Sequence, residues 1–369
     1  MTQNPHKTAL HSVHEKANAR MAPFAGFDMP IQYSGIIEEH RCTRQQAGIF
    51  DTCHMGEFIV DGDDAAKDLD YLLTANIADM RIGKCRYSLM CNHQGGVLDD
   101  LIVYRLAGNR FMIVVNAGTQ DDDLEWIRQN VSDSTIVENI SESTAKIDVQ
   151  GPHSPAIMSS LLDNPIEDLK YFSFEENFYN GQKIIISRTG YTGEIGFEIY
   201  LQPEVAADFW EDTVNSGAAA AGLGARDTLR LEVGLPLYGH ELCSERNAME
   251  SGFTFAIADD KDFIGSDKIH NPEQQVYRLT GLLIDGQRSV RENDIVYNPA
   301  DSSEIGWITS GSFSPSLEKP IALAYIKKNI EPQPEKVTIA RSKKSLEASL
   351  TKPPFYTKGT AREKISKFL

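Results

Sequence analysis

Near Arg278 the chain changes texture. Upstream, helical and strand-like periodicities alternate; downstream, short apolar runs such as LTGLLID, GWITSG and IALAYI are set off by Gly, Pro, Ser and Asn, and helical pattern is scarce. Short strands of this kind bury their side chains by pairing with one another, so residues 278–369 are expected to form an all-β, barrel-like C-terminal domain. The 369 residues are too many for one small core, and further domains are expected before it.

In that upstream part the apolar spacing predicts helices over 9–17, from about Ile36, over 65–73, over 119–131, through the stripe Val205, Phe209, Trp210 and Val214, and over 225–233. VLDDLIVYRL (97–106) and FMIVVN (111–116) read as a hairpin around residues 107–110, and KIIISR (183–188) and FEIYL (197–201) as strands joined by a glycine-rich bend. The Gly and Pro of PFAGFDMPIQY favour a loop. Strands and helices alternate without a regular βαβ period, so the expected class is α+β rather than a doubly wound sheet.

Lys and Arg number 36 against 53 Asp and Glu, a net charge of −17, which disfavours nonspecific binding to nucleic acid or to an anionic membrane. An anionic ligand would need a local basic patch. No apolar run reaches the ~18 residues of a membrane span, the N-terminal residues lack a secretory pattern, and the five cysteines are scattered without a C-x-x-C pair. A cytoplasmic location is expected. The nine histidines form no HExxH motif, and no metal is expected.

Three strings can carry chemistry. In GGVLDDLIVY, strand alternation sends Asp99 and Asp100 to opposite faces, and a two-residue turn at Gly108 and Asn109 predicts Asn116 opposite Leu101 and diagonally beside Asp99. The pair could equally cap a strand end at the surface. RTGYTGEIGFE places Glu194 at a glycine-rich tip, where it can meet a ligand's paired donors or simply be solvated. GLGARDTLRLE sets Arg226 and Arg230 one turn apart, to pair with internal carboxylates or with an anionic ligand; it lacks the glycine pattern of a dinucleotide site and the Lys-Ser/Thr of a phosphate loop.

PFAGFDMPIQY, AGIFDTCHMGEF, GGVLDDLIVY, VVNAGT, QGPHS, RTGYTGEIGFE, GLGARDTLRLEVGLPLYGHEL, SGSFSPSLEKPIALAYI and KPPFY, in this order over nearly the whole chain, resemble the T-protein family of the glycine cleavage system, the tetrahydrofolate-dependent aminomethyltransferases. The resemblance implies a three-domain cloverleaf around a central folate channel: residues 1–52 with 146–241, residues 53–145 with 242–277, and residues 278–369. It implies transfer of an aminomethyl group from the lipoyl arm of the H-protein to tetrahydrofolate, with release of ammonia. By position in its motif, Asp99 resembles the essential carboxylate, which would stabilise positive charge on the migrating carbon. Glu194 and Arg226 resemble the pterin-holding pair. Met55, Tyr87 and Asn116, with Tyr238 and Lys358, resemble lining residues, and Arg291 resembles an arginine that meets the lipoyl arm at the channel mouth.

Thr52-Cys53-His54-Met55 replaces the family's usual V-S-H-M, a change of packing, and Ala248 to Phe255 departs from its usual pattern, which alters one channel wall. Two relatives of the fold offer rival readings. A folate-dependent demethylase would be expected to depart around the acid, whereas GGVLDDLIVY is intact. A non-catalytic folate-binding iron-sulfur assembly factor would carry a cysteine where this chain reads Lys261-Asp262-Phe263-Ile264-Gly265.

Overall fold

The computed structural model describes residues 4–330, 334–341 and 344–369. Three large β systems and a two-stranded sheet organise them. The first is a six-stranded sheet in the order Phe174–Tyr179, Gln182–Ser187, Gly196–Leu201, Ala145–Gln150, Gly48–Asp51, Ala219–Ala220, antiparallel except for its last pair. Every residue of Ala145–Gln150 and Gly196–Leu201 is buried, because one face is covered by Leu10, Ile157, Met158, Phe209 and Trp210 from the helical segments and the other by the second sheet and the helix Leu223–Glu232.

The chain leaves this sheet after Asp51, builds the five-stranded sheet Cys85–Cys91, Val97–Ala107, Arg110–Val115, Gly56–Gly62, Thr135–Asn139, and returns at Ala145 beside the strand it left, with Asp51 opposite Ile147. The second sheet is covered on both faces. Phe111, Ile113 and Val115 pack under the helices Ala65–Leu72 and Gln120–Asn130, while Met112 and Val114 point the other way, into a cluster with Tyr104, Phe174 and Tyr200. That cluster joins the two sheets, and the Tyr104 and Tyr200 hydroxyls are 2.8 Å apart within it.

Residues 277–351 close a six-stranded barrel around Leu282, Ile308, Ala322, Ala324 and Ile326. Ile321 and Leu323 on its outer face pack on Leu231, so the helix Leu223–Glu232 lies between the barrel and the first sheet. Among the described residues no helix is long and apolar enough to cross a membrane.

Two local expectations change. PFAGFDMPIQY is not a loop: Arg20–Phe24 and Phe27–Gln32 form a hairpin whose turn, Ala25-Gly26, has positive φ at both positions, a primed turn that matches strand twist. Its prolines are tolerated because the sheet has only two strands, and among the described residues the outer edge of the second is bridged only near Phe27, by His6, away from Pro30. The GLG string lies at the start of the helix Leu223–Glu232 rather than before it, because a Cβ on Gly222 would sit 2.3 Å from the Ile31 carbonyl and one on Gly224 2.6 Å from the Ile36 side chain. These glycines serve close packing. Gly222→Ala is therefore expected to cost about 1–3 kcal/mol, whereas Gly108→Ala, which meets nothing within 4 Å, stays within about 0.5 kcal/mol; denaturant unfolding of the two variants measures the difference.

Candidate active site

A cavity of ≈ 1960 Å³ opens where the two sheets, the helix Leu223–Glu232, the barrel and the C-terminal residues meet. It exceeds the few hundred to ~1,000 Å³ of a site for one small molecule, so it has room for a large ligand and a second reacting group.

Strand parity decides which acid enters it. Leu101 and Val103 belong to the core beneath the helix Gln120–Asn130, and Ile102 and Tyr104 to the cluster facing the first sheet. Asp100 shares the second parity and lines the cavity; Asp99 shares the first and is fully buried, its two oxygens accepting from the backbone N–H and the side-chain amide of Asn116. Of the two acids, the one on the cavity wall is Asp100 and not Asp99, which was expected there. Asp100 accepts from the Tyr87 hydroxyl at 3.0 Å and from Asn116 Nδ2 at 3.0 Å. Burial, reinforced by the Asp99 charge, pushes its carboxyl up to about 7.

Asn116 also sits differently from its expected place opposite Leu101. Ala107 pairs with Arg110 at the turn, but a bulge follows and Arg105 pairs with Phe111, which slips the hairpin by one residue. Extending that register brings Asn116 opposite Asp100. Its Nδ2 reaches both acids, at 2.8 Å to Asp99 and 3.0 Å to Asp100, so their roles are linked through one amide.

Glu194 lines the cavity, but its oxygens are held: Arg44 donates to one at 3.0 Å, and the Thr360 hydroxyl and backbone N–H donate to the other at 2.5 and 3.1 Å. Arg44 also pairs with Glu232 at 2.9 Å, and against the upward pull of burial His40 and Arg44 draw the Glu232 carboxyl down to about 2. Glu194 therefore ties the C-terminal residues to the first sheet rather than standing free beside Arg226.

Arg226 faces the cavity over the Tyr191 ring at 4.8 Å and bonds Asp148 at 2.6 Å. Asp148 bonds Lys146 at 2.7 Å, and Lys146 bonds Glu198 at 2.8 Å. Four groups of alternating sign are bonded in succession, three of them buried and Arg226 partly open to the cavity, and Lys146 and Arg226 overcome burial to draw the Asp148 carboxyl down to about 2. Arg230 is likewise internally paired, to Glu241 at 2.8 Å.

Met55, Tyr87, Asn116, Tyr238 and Arg291 all line the cavity. Lys358 does not: it is exposed, while Thr357 and Gly359 on either side of it contribute to the wall. Sequence reasoning missed Asp100, Glu198, Lys146 and His54, whose ring lines the cavity, with burial lowering it to about 4 so that it is neutral. The one local signal for Glu198 was an acid in the middle of the otherwise apolar FEIYL. Phe255, 74% exposed and stacked on Tyr87 at 5.8 Å, forms the wall where Ala248 to Phe255 departs from the family pattern.

The site predicts its own titration. A carboxyl held near 7 in the folded chain binds a proton that the unfolded chain, at about 4, releases, so stability from Asp100 is present at low pH and is lost as pH rises from about 4 to 7. Carbon NMR of Asp100 should give a midpoint near 7 that falls in Asp99→Asn, and Asp100→Asn should flatten that part of the stability profile.

Residues 10–261 match the family model described as the GCVT N-terminal domain, and residues 278–357 that of the glycine cleavage T-protein C-terminal barrel domain. The chain is 38% identical over 365 residues to an aminomethyltransferase of Natranaerobius thermophilus, covering 96% of this chain and 100% of that one. It is 39% identical to the aminomethyltransferase of Caldanaerobacter subterraneus, covering 96% and 97%. The crystal structure of glycine cleavage system aminomethyltransferase T from Bartonella henselae superposes with a TM-score of 0.91 at 31% identity, covering 97% of this chain and 99% of that one.

Proposed function

The chain belongs to the glycine cleavage T-protein family, and on that premise we propose that its cavity moves an aminomethyl carbon from a lipoyl arm of the H-protein to tetrahydrofolate, with Asp100 as the acid that faces the migrating carbon. The protein is a transferase of one-carbon units. The observation that carries the residue assignment is the position of Asp100: it lies on the cavity wall, held by two neutral donors, Tyr87 and Asn116, and by no cation among its hydrogen-bond partners.

Tetrahydrofolate supplies the nucleophilic nitrogen that accepts the carbon. The cavity fits it by chemistry: an aromatic wall of Tyr87 and Phe255 suits a flat ring system, and Arg226, Lys146 and Glu198 on the wall, with Asp148 behind them joining Arg226 to Lys146, offer both donors and acceptors to a ring edge. Asp100 then does two things. As a carboxylate it stabilises positive charge on the carbon in a site with little water, and near neutrality its oxygens take up or give a proton as ammonia departs. Tyr87 and Asn116 hold it in one orientation, so no reorganisation is needed when the charge develops.

Arg291 is exposed at the cavity edge, its guanidinium bonded to the Gly311 carbonyl at 3.2 Å, and this positive charge supports a reading in which an acidic carrier protein brings its arm in here. The five cysteines are free, which fits a reducing cytoplasmic setting.

Asp100→Asn should lower kcat by about 10²-fold or more while tetrahydrofolate affinity stays within about fivefold, read as methylenetetrahydrofolate formed from aminomethyl-loaded H-protein, with sulfonium and trimethylated amine donors as controls. Full turnover in the variant, or demethylation of a control donor in place of the reaction, would overturn the assignment. Arg291→Glu should weaken H-protein association and reduce its dependence on salt; titration calorimetry at two ionic strengths checks both effects.

A further inference from the structure

One ring on the cavity wall has no part in the reaction as described. His54 lies in the turn at residues 52–55, where the chain passes from the first sheet to the second, and it is 6% exposed. The turn is tied down on both sides of the ring. Thr52 Oγ1 donates to Asp148 Oδ1 at 2.9 Å, the Cys53 N–H to Asp51 Oδ1 at 2.8 Å, and the Met55 N–H to the Thr52 carbonyl at 3.2 Å. Phe24 and Phe27 of the N-terminal hairpin meet the imidazole edge to face, with centroids 5.6 and 6.4 Å away, which fixes its plane.

The two ring nitrogens differ. Nδ1 is buried and has no hydrogen-bond partner. Nε2 bonds no described residue either, but it is not sealed off as Nδ1 is, and the ring lines the cavity. Burial, with Arg226 and Lys146 acting against Asp51 and Asp148, lowers His54 to about 4, so at neutral pH the ring carries one proton. On Nδ1 that proton would be a buried donor without an acceptor, which folded proteins rarely leave; on Nε2 it meets whatever fills the cavity. The second tautomer is the less costly, and it turns a neutral N–H toward the ligand.

We propose that His54 is a specificity-determining residue for tetrahydrofolate, its Nε2–H donating to the carbonyl oxygen of the pterin ring. This rests on the reading of the cavity as a tetrahydrofolate site. The pterin edge presents that one carbonyl oxygen beside ring and exocyclic N–H groups, so a wall that reads the edge needs a donor next to acceptors. Arg226 and Lys146 near His54 are cationic donors already paired with Asp148, whereas His54 is a neutral donor with no partner inside the protein. A neutral donor suits a neutral carbonyl and adds no positive charge to a cavity in which the migrating carbon itself becomes positive. A ligand with an amino group in place of the carbonyl would set donor against donor and leave both unpaired.

Two measurements on the full-length chain test this. Nitrogen NMR of histidine-labelled protein without ligand should show His54 protonated on Nε2 with a lone pair on Nδ1, and no titration above pH 5; a proton on Nδ1 would overturn the proposal. Titration calorimetry without H-protein then compares tetrahydrofolate with its 4-amino-4-deoxy analogue. Wild type should prefer the carbonyl form, and His54→Phe, which keeps an aromatic ring between Phe24 and Phe27, should reduce that preference by about tenfold. His54→Gln, whose side-chain amide N–H reaches the same place, should retain most of it; if the phenylalanine variant does not fold, His54→Leu takes its place. A preference unchanged in the donorless variant, or a glutamine variant that discriminates no better than the phenylalanine one, would also overturn it. Those results leave the tetrahydrofolate reading standing, whereas a wild-type protein that binds no tetrahydrofolate would end that reading and this assignment together.

Discussion

Burial of both faces of the strand Val97–Ala107 governs how the site is built. On one side Leu101 and Val103 are packed under helices, and on the other Ile102 and Tyr104 are packed against the first sheet. With a side-chain period of two, a slip by one residue would exchange these sets and would also exchange Asp99 with Asp100. Neither exchange is tolerable. The apolar residues would lose their clusters, and an acid made to sit among neutral donors at a cavity would be driven among apolar helix contacts. The pairing that secures the core thereby fixes which carboxyl meets the ligand, and the bulge beyond Arg105 then brings Asn116 level with it.

The chain's strongly negative net charge makes the arrangement of its buried cations informative. Arg226, Lys146, Arg230 and Arg44 are each paired with carboxylates inside the protein. Such pairs contribute little net stability, because desolvation of both partners offsets their attraction, but breaking one leaves an uncompensated buried charge. Their effect is to hold hydrogen-bonding groups in fixed positions around the cavity before any ligand enters. Asp100 stands apart from this network: its partners are a phenol and an amide, which orient the carboxylate without cancelling its charge. A group meant to respond to developing positive charge requires that difference.

Much of the fold was legible locally. The helices at Ile36–Gln45, Ala65–Leu72 and Pro203–Asn215 follow from apolar spacing, and the barrel from the loss of helical pattern after Arg278. The same strand periodicity separated Asp99 from Asp100 correctly, yet it could not say which face looks into the cavity, because that depends on the contact of Tyr104 with Tyr200, nearly a hundred residues away in sequence. Glu194 misled for a related reason. Its glycine-rich context suggested an exposed tip, but the residues that occupy its oxygens, Arg44 and Thr360, come from the two ends of the chain. Lys358 shows the converse: a position next to lining residues on an extended segment alternates away from the wall that Thr357 and Gly359 form.

The last turns of the chain explain why a barrel distant in sequence belongs to this site at all. After the strand ending at Thr351 the backbone runs back across the first sheet: Phe355 N–H donates to the Glu232 carbonyl at 2.9 Å, Ala361 N–H to the Gly193 carbonyl at 3.1 Å, and Arg188 donates to the carbonyls of Ala361 and Glu363. Ile365 then enters the core of the first sheet. A Cβ on Gly359 would lie 2.3 Å from the Gly193 carbonyl, so the two backbones touch where Glu194 begins. Through this return segment and the helix Leu223–Glu232, both of which line the cavity, the barrel is fastened to the first sheet at two places. A hinge with one attachment would let the barrel move against the first sheet; two attachments, with the Tyr104–Tyr200 cluster that joins the second sheet to the first, make the distance between Arg226 on the helix and Asp100 on the second sheet a property of the packed core, which is what a site that works by preorganised charge needs.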